Sequence, residues 1–588
     1  MCSIIGYASS EQVTSTLLKG LKKMEYRGYD SAGIAVASNN QLLVQKEIGR
    51  VKDLEQKLDL KYTTGHAGIG HTRWATHGGV SKINAHPHMC NDESIGVVHN
   101  GIIENYDELK NKLIARGYSF KSKTDTEIIP NLLSYHFNQT NDIKQSIIKT
   151  VYELKGNYSF IALIRNETMV AVKHHEPLIL GIENDGKGYV LASDILGFTE
   201  KTEDIIDMDN NQFAIILSNG FKMYDFKGNT SSYLISKLPQ KHKEVNKENF
   251  EHFTLKEINE QPATIVSTGN ENEQTIDAFT KSIRKKENIV ITGSGTSYYA
   301  GLMARYLFPM FINNAINVIK SSEMKFSEHF LNPSSILVAI SQSGESADVL
   351  EAISIAKNRG LSITSVVNVM RSTLAKESDY AIGLNCGSEI GVAATKSFTS
   401  QLAIFYKIAD KLSEGKIGLN FNEISQAMSK IIKEDDKVKK ISKELKNVHD
   451  IYVLGRGIHY PIAMEGALKI KEITYIHAEG MSAGELKHGP LALMDKSAFV
   501  IILNPEGDTY QDNLSSIHEI KARGAKIIGI SNKNNENYDY FIEIPKISEI
   551  LYPLIEVIPL QQLAYYTSLE KGLDPDYPRN LAKCVTVK

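Results

Sequence analysis

The segment Ile289-Val290-Ile291-Thr292-Gly293-Ser294-Gly295-Thr296-Ser297-Tyr298 combines an apolar strand, a glycine-rich turn and the first residues of a helix. The pattern returns 162 residues later as Ile451-Tyr452-Val453-Leu454-Gly455-Arg456-Gly457-Ile458-His459-Tyr460. Farther along, Arg359-Gly360 is matched by Arg523-Gly524, 164 residues later. Around both copies apolar strands alternate with helices, which is typical of a parallel α/β sheet. The C-terminal half therefore contains one α/β domain twice, and we expect the copies to pack around a shared site.

The composition limits the kind of protein that this chain can be. Its 588 residues are too many for one core and predict roughly three to four domains. A net charge of −3 gives no basic excess for nucleic acid, and no apolar run is long enough to cross a membrane. No signal peptide is apparent. Cys2, Cys90, Cys386 and Cys584 are scattered, which argues against a disulfide framework or zinc site and predicts a cytoplasmic protein.

One loop of the first copy has the composition of an anion site. Ser335–Ile340 reads as a strand, and Ser341-Gln342-Ser343-Gly344-Glu345-Ser346 opens the next helix. Hydroxyls, an amide and backbone N–H groups at a helix N-terminus favour phosphate, with Thr296 and Ser297 after the neighbouring strand. The equivalent loop of the second copy, Leu503–Asp508, carries acids and a proline instead. A plain helix cap explains such serines equally well, but the asymmetry between the copies favours phosphate.

The second copy carries a charged helix face. Glu465, Lys469 and Glu472 stand at i, i+4 and i+7 and project from one side of the predicted helix. A solvated ion-pair stripe is the alternative. The run Glu479–Pro490 follows and contains His488. A carboxylate, an ammonium and an imidazole near a phosphate site indicate acid/base chemistry on a sugar phosphate.

The first 240 residues follow a different pattern, with short β-like runs separated by polar turns and a few helices. Ile34–Ala37 and Gln41–Gln45 predict a hairpin, whereas Tyr106–Arg116 and Asp125–His136 predict helices. The mixture indicates a layered α+β domain. A charged linker follows at 237–248, and then a helix that we expect to end before Pro262.

Several polar residues of this domain have the types that amide cleavage requires. After removal of Met1, Cys2 carries a thiol and a free α-amine, a self-contained nucleophile and base. Asn100 and the Gly101 N–H could form an oxyanion hole. Arg73 suits a substrate carboxylate and Asp125 a substrate ammonium. For Cys2 a buried strand residue, and for the segments around Asn100 and Asp125 a turn and a helix cap, are the structural alternatives.

The ordered combination of motifs resembles the glutaminase domain of N-terminal-nucleophile amidotransferases. It comprises Cys2, Glu25–Ser31, His71–Gly78, Asn84–His88 and Asn100–Asn105. The resemblance implies a four-layer αββα domain. One departure is Ser3, where the family usually has glycine.

The C-terminal half resembles paired SIS domains, whose flavodoxin-like parallel sheets bind phosphosugars. The whole chain, through the tail Pro578–Val587, resembles the glutamine–fructose-6-phosphate aminotransferase (isomerising) family. Departures are Ser294, Ala394 and Gly480-Met481. The resemblance implies transfer of the amide nitrogen of L-glutamine to D-fructose 6-phosphate with isomerisation. The products would be D-glucosamine 6-phosphate and L-glutamate, in the first step of hexosamine synthesis.

The resemblance also assigns residues to the glutaminase reaction. Cys2 attacks the amide with its own α-amine as base, and Asn100 with Gly101 holds the oxyanion. Arg27 shapes the nucleophile pocket. The glutamine-binding residues are Arg73, Trp74, Thr76, His77 and Asp125, of which Trp74 also gates the ammonia path.

In the sugar site, His488 from the partner subunit of a homodimer opens the ring. Lys583 forms a Schiff base, and Glu472 moves the proton between C1 and C2. The sugar-phosphate-binding residues are Thr296, Ser297, Ser341, Gln342, Ser343, Ser346, Glu465 and Lys469. Outside this context, Lys583 would read as an ordinary solvated lysine near a C-terminus. No metal, organic cofactor, nucleic acid or membrane is implied.

The expected organisation is a glutaminase domain at 2–237, a linker and helix at 238–274, SIS domains at 275–415 and 440–575, and a tail at 576–588 that closes the sugar site. Three alternatives remain open. A regulatory phosphosugar-binding protein would not need Cys2, Arg73 and Asp125 together. A related amidotransferase could use another acceptor, and an SIS deglycase would lack the glutaminase domain.

Overall fold

The computed structural model of the chain describes residues 2–59, 64–75, 77–184, 186–217, 220–238 and 246–585. The chain divides into two compact units, Met1–Val245 together with Cys584–Lys588, and Asn246–Lys583. Most of the predicted linker lies outside the described residues, at 239–245. Among the described residues, no helix is long and apolar enough to cross a membrane.

The described residues of the first unit form two antiparallel sheets and five α-helices. Its strands are β1 (Ser3–Ala8), β2 (Ser31–Ser38), β3 (Gln41–Ile48), β4 (Ala67–Arg73), β5 (His88–Met89), β6 (Ile95–Gly101), β7 (Tyr158–Ile164), β8 (Met169–His174), β9 (Ile179–Glu183), β10 (Tyr189–Ala192), β11 (Thr202–Asp207), β12 (Gln212–Leu217), β13 (Gly220–Asp225) and β14 (Ser236–Lys237). Its helices are α1 (Thr14–Met24), α2 (Val51–Lys57), α3 (Tyr106–Ile114), α4 (Ile128–Thr140) and α5 (Ile143–Glu153). The sheet orders are β14-β11-β9-β10-β1-β4-β2-β3 and β13-β12-β8-β7-β6-β5.

Strand alternation builds four layers from these elements. On β1, Ile4 enters the apolar core between the two sheets, whereas Ile5 enters the core that the first sheet shares with α1. The second sheet turns its other face, which includes Phe160, toward α3, α4 and α5. The αββα prediction is therefore confirmed. The hairpin is also confirmed, because Asn39 and Asn40 join β2 to β3 with positive φ values of 51° and 58°.

The second unit contains two parallel sheets. Its strands are β15 (Asn288–Gly293), β16 (Ala315–Lys320), β17 (Ser335–Ser341), β18 (Ser362–Val367), β19 (Tyr380–Gly383), β20 (Asp450–Gly455), β21 (His477–Ser482), β22 (Phe499–Leu503), β23 (Lys526–Ser531) and β24 (Tyr540–Glu543). Its helices are α6 (Phe253–Asn270), α7 (Glu273–Ile283), α8 (Thr296–Leu307), α9 (Ala347–Asn358), α10 (Thr373–Lys376), α11 (Lys396–Leu412), α12 (Phe421–Lys433), α13 (Asp436–Leu445), α14 (Tyr460–Thr474), α15 (Tyr510–Lys521) and α16 (Pro553–Glu570).

The two sheets repeat one topology. Their orders are β16-β15-β17-β18-β19 and β21-β20-β22-β23-β24, with parallel neighbours throughout. When the strands of each sheet are numbered along the chain, both sheets have the order 2-1-3-4-5, as in flavodoxin-like sheets. One apolar cluster contains side chains from both sheets and from α11, α14 and α16. The prediction of a duplicated α/β domain is confirmed.

Helix α6 corrects one expectation, because it continues through Pro262 to Asn270. Proline cannot donate a hydrogen bond to the carbonyl of Ile258 one turn earlier. The side-chain amide of Gln261 donates to that carbonyl instead, at 3.1 Å, so the acceptor is not left unpaired. The predicted helix Asp125–His136 likewise differs, since a 3-10 turn at Asp125–Glu127 precedes α4.

Candidate active sites

The Cys2 thiol lies at the start of β1, beside the residue that follows β4. The Trp74 N–H donates to Sγ of Cys2 at 3.3 Å, and the thiol donates to the Trp74 carbonyl at 3.5 Å. Burial raises the pKa of the Cys2 thiol, while the Trp74 N–H and the Arg73 charge act in the opposite direction. The thiol therefore needs a base before it can act as a nucleophile.

Two departures from the family pattern have structural explanations. Ser3 is fully buried and its hydroxyl donates to the Met24 carbonyl at 2.9 Å, at the end of α1. Because neighbouring residues of a strand face opposite ways, this side chain points away from Cys2. At Gly480 of β21, a Cβ would lie 2.6 Å from Cα of Met464, so α14 and β21 approach too closely for a larger residue.

The side-chain amide of Asn100, near the end of β6, makes no hydrogen bond within the described part of the chain. Asn100 is buried, and neither its side-chain oxygen nor its nitrogen has a hydrogen-bond partner among the described residues. Buried polar groups are normally paired, so an unpaired amide favours a ligand as its partner. The next residue, Gly101, has φ +105°, and a Cβ there would lie 2.0 Å from the Asn157 carbonyl oxygen. Glycine is therefore required beside Asn100.

Arg73 ends β4 and holds the loop that follows. Its guanidinium donates to the carbonyls of His77 at 2.5 Å, Gly78 at 2.8 Å and Gly79 at 3.4 Å. Burial lowers the pKa of Arg73, and the Cys2 thiol and the Asp125 carboxylate are close enough to oppose that effect. Cys2 and Asp125 are thus two predicted site residues whose charges act on Arg73.

Other predicted glutamine-site residues lie around this group. Oδ2 of Asp125 accepts from the Ile103 N–H at 2.8 Å. Trp74 and His77 are half-buried, and His77 meets the ring of Tyr106 edge-on. Thr76 lies outside the described residues.

Arg27 stabilises the strand beside the nucleophile. It donates to the Ser193 carbonyl at 3.0 Å and to Oδ2 of Asp194 at 3.1 Å. The Ser193 hydroxyl in turn accepts from the Ile4 N–H at 3.2 Å. Arg27 therefore acts on Cys2 through the residues next to it in the sheet.

Sequence reasoning missed a cluster of buried histidines behind the site. His71 stacks on His86 at 3.8 Å, and Nε2 of His71 lies 3.1 Å from the His99 carbonyl oxygen. His99 contacts the Thr126 hydroxyl at 2.9 Å. Burial lowers the pKa of His71, His86, His88 and His99, so all four are neutral. They join β4, which carries Arg73, to β6, which carries Asn100. The sequence could have indicated this cluster, because three of the four histidines occur in the motifs His71–Gly78 and Asn84–His88.

In the second unit, the hydroxyl-rich loop Ser341–Ser346 forms hydrogen bonds to its own backbone before α9 begins. The Ser341 hydroxyl accepts from the Gly344 N–H at 3.0 Å and lies 3.3 Å from the Ser346 hydroxyl. The Ser343 hydroxyl accepts from the Glu345 N–H at 3.2 Å. Gln342 is half-buried in the same loop.

The equivalent loop of the second copy is occupied by a carboxylate. Glu506 accepts from the Asn532 amide at 3.0 Å and pairs with Lys533 at 3.3 Å and Lys546 at 3.2 Å. The asymmetry in sequence therefore becomes a difference in charge, because an acidic group lies where the first copy has hydroxyls. The Glu506 carboxylate already pairs with the lysines and the amide that an anionic ligand would otherwise contact there.

The three charges of α14 form a buried cluster. Nζ of Lys469 lies 2.5 Å from Glu472 and 3.4 Å from Glu465, and Lys469 and Glu465 are buried. Thr296 joins this cluster, donating to Glu465 and accepting from Lys469 at 3.1 Å each. Ser297 instead accepts from the Gln401 amide at 3.0 Å. The alternative of a solvated ion-pair stripe is wrong, because Glu465 and Lys469 are buried and are paired with each other.

The buried cluster shifts the pKa values of its members. Burial raises the pKa of Glu465 to about 8, although Lys469 opposes it. Burial alone would lower the pKa of Lys469, but Glu465 and Glu472 outweigh it and raise that pKa. Oε2 of Glu465 has no hydrogen-bond partner among the described residues. Such perturbed groups are typical of acid/base sites.

Lys583 is buried despite its position near the C-terminus. Its Nζ lies 2.6 Å from Oε2 of Glu389 and 2.7 Å from the Gly391 carbonyl oxygen. Burial would raise the pKa of Glu389, but Lys583 and the hydrogen bonds from Ser397 lower it to about 2. Glu389 also acts on the pKa of Lys469, so the two clusters are neighbours. Sequence reasoning missed Glu389, because no motif singled out that carboxylate.

His488 is not brought together with the other predicted catalytic residues. It is exposed at the end of a 3-10 helix, Ala483–His488. Within the described part of this chain it makes no hydrogen bond to Glu472 or Lys583, all three being described residues.

Comparison with family models agrees with the two kinds of domain. A model described as "Glutamine amidotransferase domain" matches residues 71–200. A model described as "SIS domain" matches twice, at 282–409 and 444–571. Among solved structures, the "C-terminal domain of glucosamine-fructose-6-phosphate aminotransferase from Francisella tularensis" is 34% identical, with a TM-score of 0.52, covering 57% of this chain and 100% of that one.

Curated relatives match over the full length. The "Glutamine--fructose-6-phosphate aminotransferase [isomerizing]" of Pyrococcus horikoshii is 40% identical, and the protein of the same name from Clostridium acetobutylicum is 39% identical. In both comparisons 100% of this chain and 100% of the relative are covered. The chain therefore belongs to the glutamine–fructose-6-phosphate aminotransferase (isomerizing) family.

Proposed function

We propose that this chain transfers the amide nitrogen of L-glutamine to D-fructose 6-phosphate and isomerises the product to D-glucosamine 6-phosphate, releasing L-glutamate. The observation that carries the proposal is that one chain has both a buried, unpaired Asn100 amide in its first unit and, in its second unit, a Lys583–Glu389 ion pair whose carboxylate acts on Lys469 of α14. A deglycase has no use for the first feature. The SIS domain limits 275–415 and 440–575 are supported by the family matches at 282–409 and 444–571.

The glutaminase half follows from the groups around Cys2. After removal of Met1, the new α-amine takes the thiol proton and Sγ attacks the amide carbon of glutamine. The Asn100 amide and the Gly101 N–H receive the developing oxyanion, which satisfies the unpaired Asn100 donor. Arg73 and Asp125 hold the carboxylate and ammonium of the substrate, and the family resemblance assigns Thr76 and His77 to glutamine binding as well. Trp74, whose backbone brackets the thiol, gates the release of ammonia.

The sugar half begins with phosphate binding at Ser341, Gln342, Ser343 and Ser346, before the N-terminus of α9. Nζ of Lys583 donates a hydrogen bond to the carboxylate of Glu389, whose pKa is low. Attack on C2 of the open sugar requires a neutral amine, and the proton that leaves Nζ passes along the hydrogen bond to the Glu389 carboxylate. The neutral amine then forms the C–N bond, and loss of water gives the Schiff base.

Ammonia replaces Lys583 at C2, and a proton must then move between C1 and C2. Glu472 is the proposed carrier, because its carboxylate lies at the less buried end of the α14 cluster. Lys469 holds Glu472 in place at 2.5 Å, and Glu465 stands on the other side of Lys469. General acid/base transfer of this type contributes about 10²- to 10⁴-fold to a rate.

Ring opening is assigned to His488 of a second subunit. The exposure of His488 in one chain supports a role across the interface of a homodimer. The cytoplasm is the proposed compartment, since Cys2, Cys90, Cys386 and Cys584 are all free thiols.

Two variants test the proposal. We expect Cys2→Ala to abolish glucosamine 6-phosphate formation from glutamine while retaining slow synthesis from high ammonium. Lys583→Ala should prevent borohydride trapping of fructose 6-phosphate on the protein. Full glutamine-dependent activity in the first variant, or unchanged trapping in the second, would contradict the corresponding assignment.

A further inference from the structure

Helix α6 begins against the segment that leads to Lys583. Asp576, fully buried, accepts hydrogen bonds from the N–H groups of Phe253 at 2.9 Å and Thr254 at 2.8 Å, and from the Thr254 hydroxyl at 2.9 Å. The residue that precedes the helix, His252, provides no side-chain cap. A residue 322 positions further along the chain than Thr254 therefore caps this helix.

One turn later, α6 holds the loop that contacts Lys583. Oε1 of Glu257 accepts from the N–H groups of Ile390 at 2.5 Å and Gly391 at 3.2 Å. The carbonyl of the same Gly391 accepts from Nζ of Lys583. The Val392 N–H donates to the Asp576 carbonyl at 3.2 Å and so ties the loop to the tail. Both segments that position Lys583 are thus fixed to α6.

Helix α6 and this loop are so close at Gly391 that no side chain fits between them. A Cβ added to Gly391 would lie 2.9 Å from Oε2 of Glu257 and 2.9 Å from the Thr254 hydroxyl. Oε2 of Glu257 is buried and has no hydrogen-bond partner among the described residues. The carboxyl group is therefore in direct contact with the loop and not with solvent.

The charges around Lys583 show which form of Glu257 fits. Glu389 pairs with Lys583, and Glu260 pairs with Lys396 at 2.5 Å. Glu257 is a third carboxyl group with no cation of its own, and burial next to Glu389 raises its pKa to about 8. A protonated Glu257 leaves Glu389 as the one charged partner of Lys583. It fixes the loop without competing for Nζ of Lys583.

We propose that Glu257 and Asp576 are positioning residues for Lys583, holding its amine at the place where the sugar carbonyl arrives. This inference rests on the proposed function, because it concerns the Schiff-base lysine. Misplacement of a reacting group by about 1 Å can cost on the order of 100-fold in rate. Loss of either residue should therefore slow attack by Lys583 without removing the phosphate loop Ser341–Ser346.

The test compares four variants of the full chain. Glu257→Ala and Asp576→Ala remove the hydrogen bonds that fix the loop and the tail to α6. Glu257→Gln keeps a neutral side chain whose oxygen can accept the same hydrogen bonds from Ile390 and Gly391. Asn420→Ala is the control, because Asn420 caps α12 of the same unit by accepting from Asn422 and Glu423. Its replacement removes a helix cap that has no contact with Lys583. The measurement is the rate of borohydride-trapped fructose 6-phosphate on Lys583 at saturating sugar, together with the KM for the sugar.

We expect Glu257→Ala and Asp576→Ala to trap about tenfold to a hundredfold more slowly, with KM changed less than about threefold. Glu257→Gln and Asn420→Ala should trap at the rate of the unaltered chain. Equal trapping in all five proteins, or equal slowing by Asn420→Ala, would overturn the positioning role while leaving the proposed function intact. Absence of an adduct on Lys583 in the unaltered chain would overturn both.

Discussion

Nζ of Lys583 lies 2.6 Å from Oε2 of Glu389, and both side chains are buried. Glu389 is held ready for this contact by hydrogen bonds from the N–H groups of Thr395 and Ser397 and from the Ser397 hydroxyl. The carboxylate, itself fixed by these hydrogen bonds, therefore fixes the position of the Lys583 amine.

Replacement of Asn100 should separate activity from stability. We expect Asn100→Ala to lower glutamine-dependent product formation by about 10²- to 10³-fold, because an oxyanion donor is lost. The free energy of unfolding should not fall, since both amide atoms are unpaired in the folded chain and no hydrogen bond is broken. Glutamine-dependent product formation measures the first effect, with ammonia-dependent synthesis as its control, and chemical denaturation measures the second.

Asn131 is the matched control for Asn100. It is also fully buried, but it donates to the Glu127 carbonyl at 3.1 Å and accepts from the Asn91 N–H at 3.1 Å. Asn131→Ala should cost about 1–3 kcal/mol of stability by leaving these groups unpaired. If Asn100→Ala destabilised the protein as much as this control, the Asn100 amide would not be an empty oxyanion donor.

Ser3→Gly should have the opposite signature to Asn100→Ala. The Ser3 hydroxyl donates to the Met24 carbonyl, on the far side of β1 from the thiol. We expect a loss of about 1 kcal/mol in stability and an unchanged rate of glutamine hydrolysis. A large gain in that rate would show that the serine side chain does crowd Cys2.

The buried histidines should make the first unit sensitive to acid. The pKa values of His71, His86, His88 and His99 are lowered in the folded chain, whereas an unfolded histidine titrates near about 6.5. Below that pH the unfolded chain binds protons that the folded chain does not, so stability falls as pH decreases. Amide hydrogen exchange at pH 7.5 and 5.5 should show loss of protection in β4 and β6. Two results would contradict this account: exchange that was insensitive to pH, or a pH sensitivity that fell as much in the exposed-site variant His449→Gln as in a variant lacking one buried histidine.

Much of the fold followed from local patterns in the sequence. The repeated strand at Ile289 and Ile451 predicted two parallel sheets because both faces of such strands are apolar. The end of α6 was misjudged, since the bond from Gln261 to the Ile258 carbonyl is a side-chain contact that proline rules do not include.

The candidate sites were predictable to the extent that motifs carry them. Cys2, Asn100 and Lys583 occur in such motifs. Glu389, which pairs with Lys583, and Glu257, which binds the loop beside it, do not. Those carboxylates become recognisable only through burial and distance, because isolated glutamates in a sequence are usually solvated.

Mixing two inactive variants should restore activity if His488 acts across a dimer interface. His488→Ala and Lys583→Ala chains, carrying different tags and produced together, form mixed dimers with one intact sugar site each. Random association predicts recovery of about a quarter of the parental activity. Inactive mixed dimers, isolated with both tags, would place His488 in the site of its own chain.

The central claim is that nitrogen passes from glutamine to the sugar phosphate. Its most direct test supplies the unaltered chain with amide-¹⁵N glutamine and fructose 6-phosphate in buffer containing excess ¹⁴N ammonium. Mass spectrometry of the product then reports the source of its nitrogen. The account predicts glucosamine 6-phosphate that carries ¹⁵N at C2; product with the ¹⁴N of the buffer, or glutamate without any amino sugar, would contradict it.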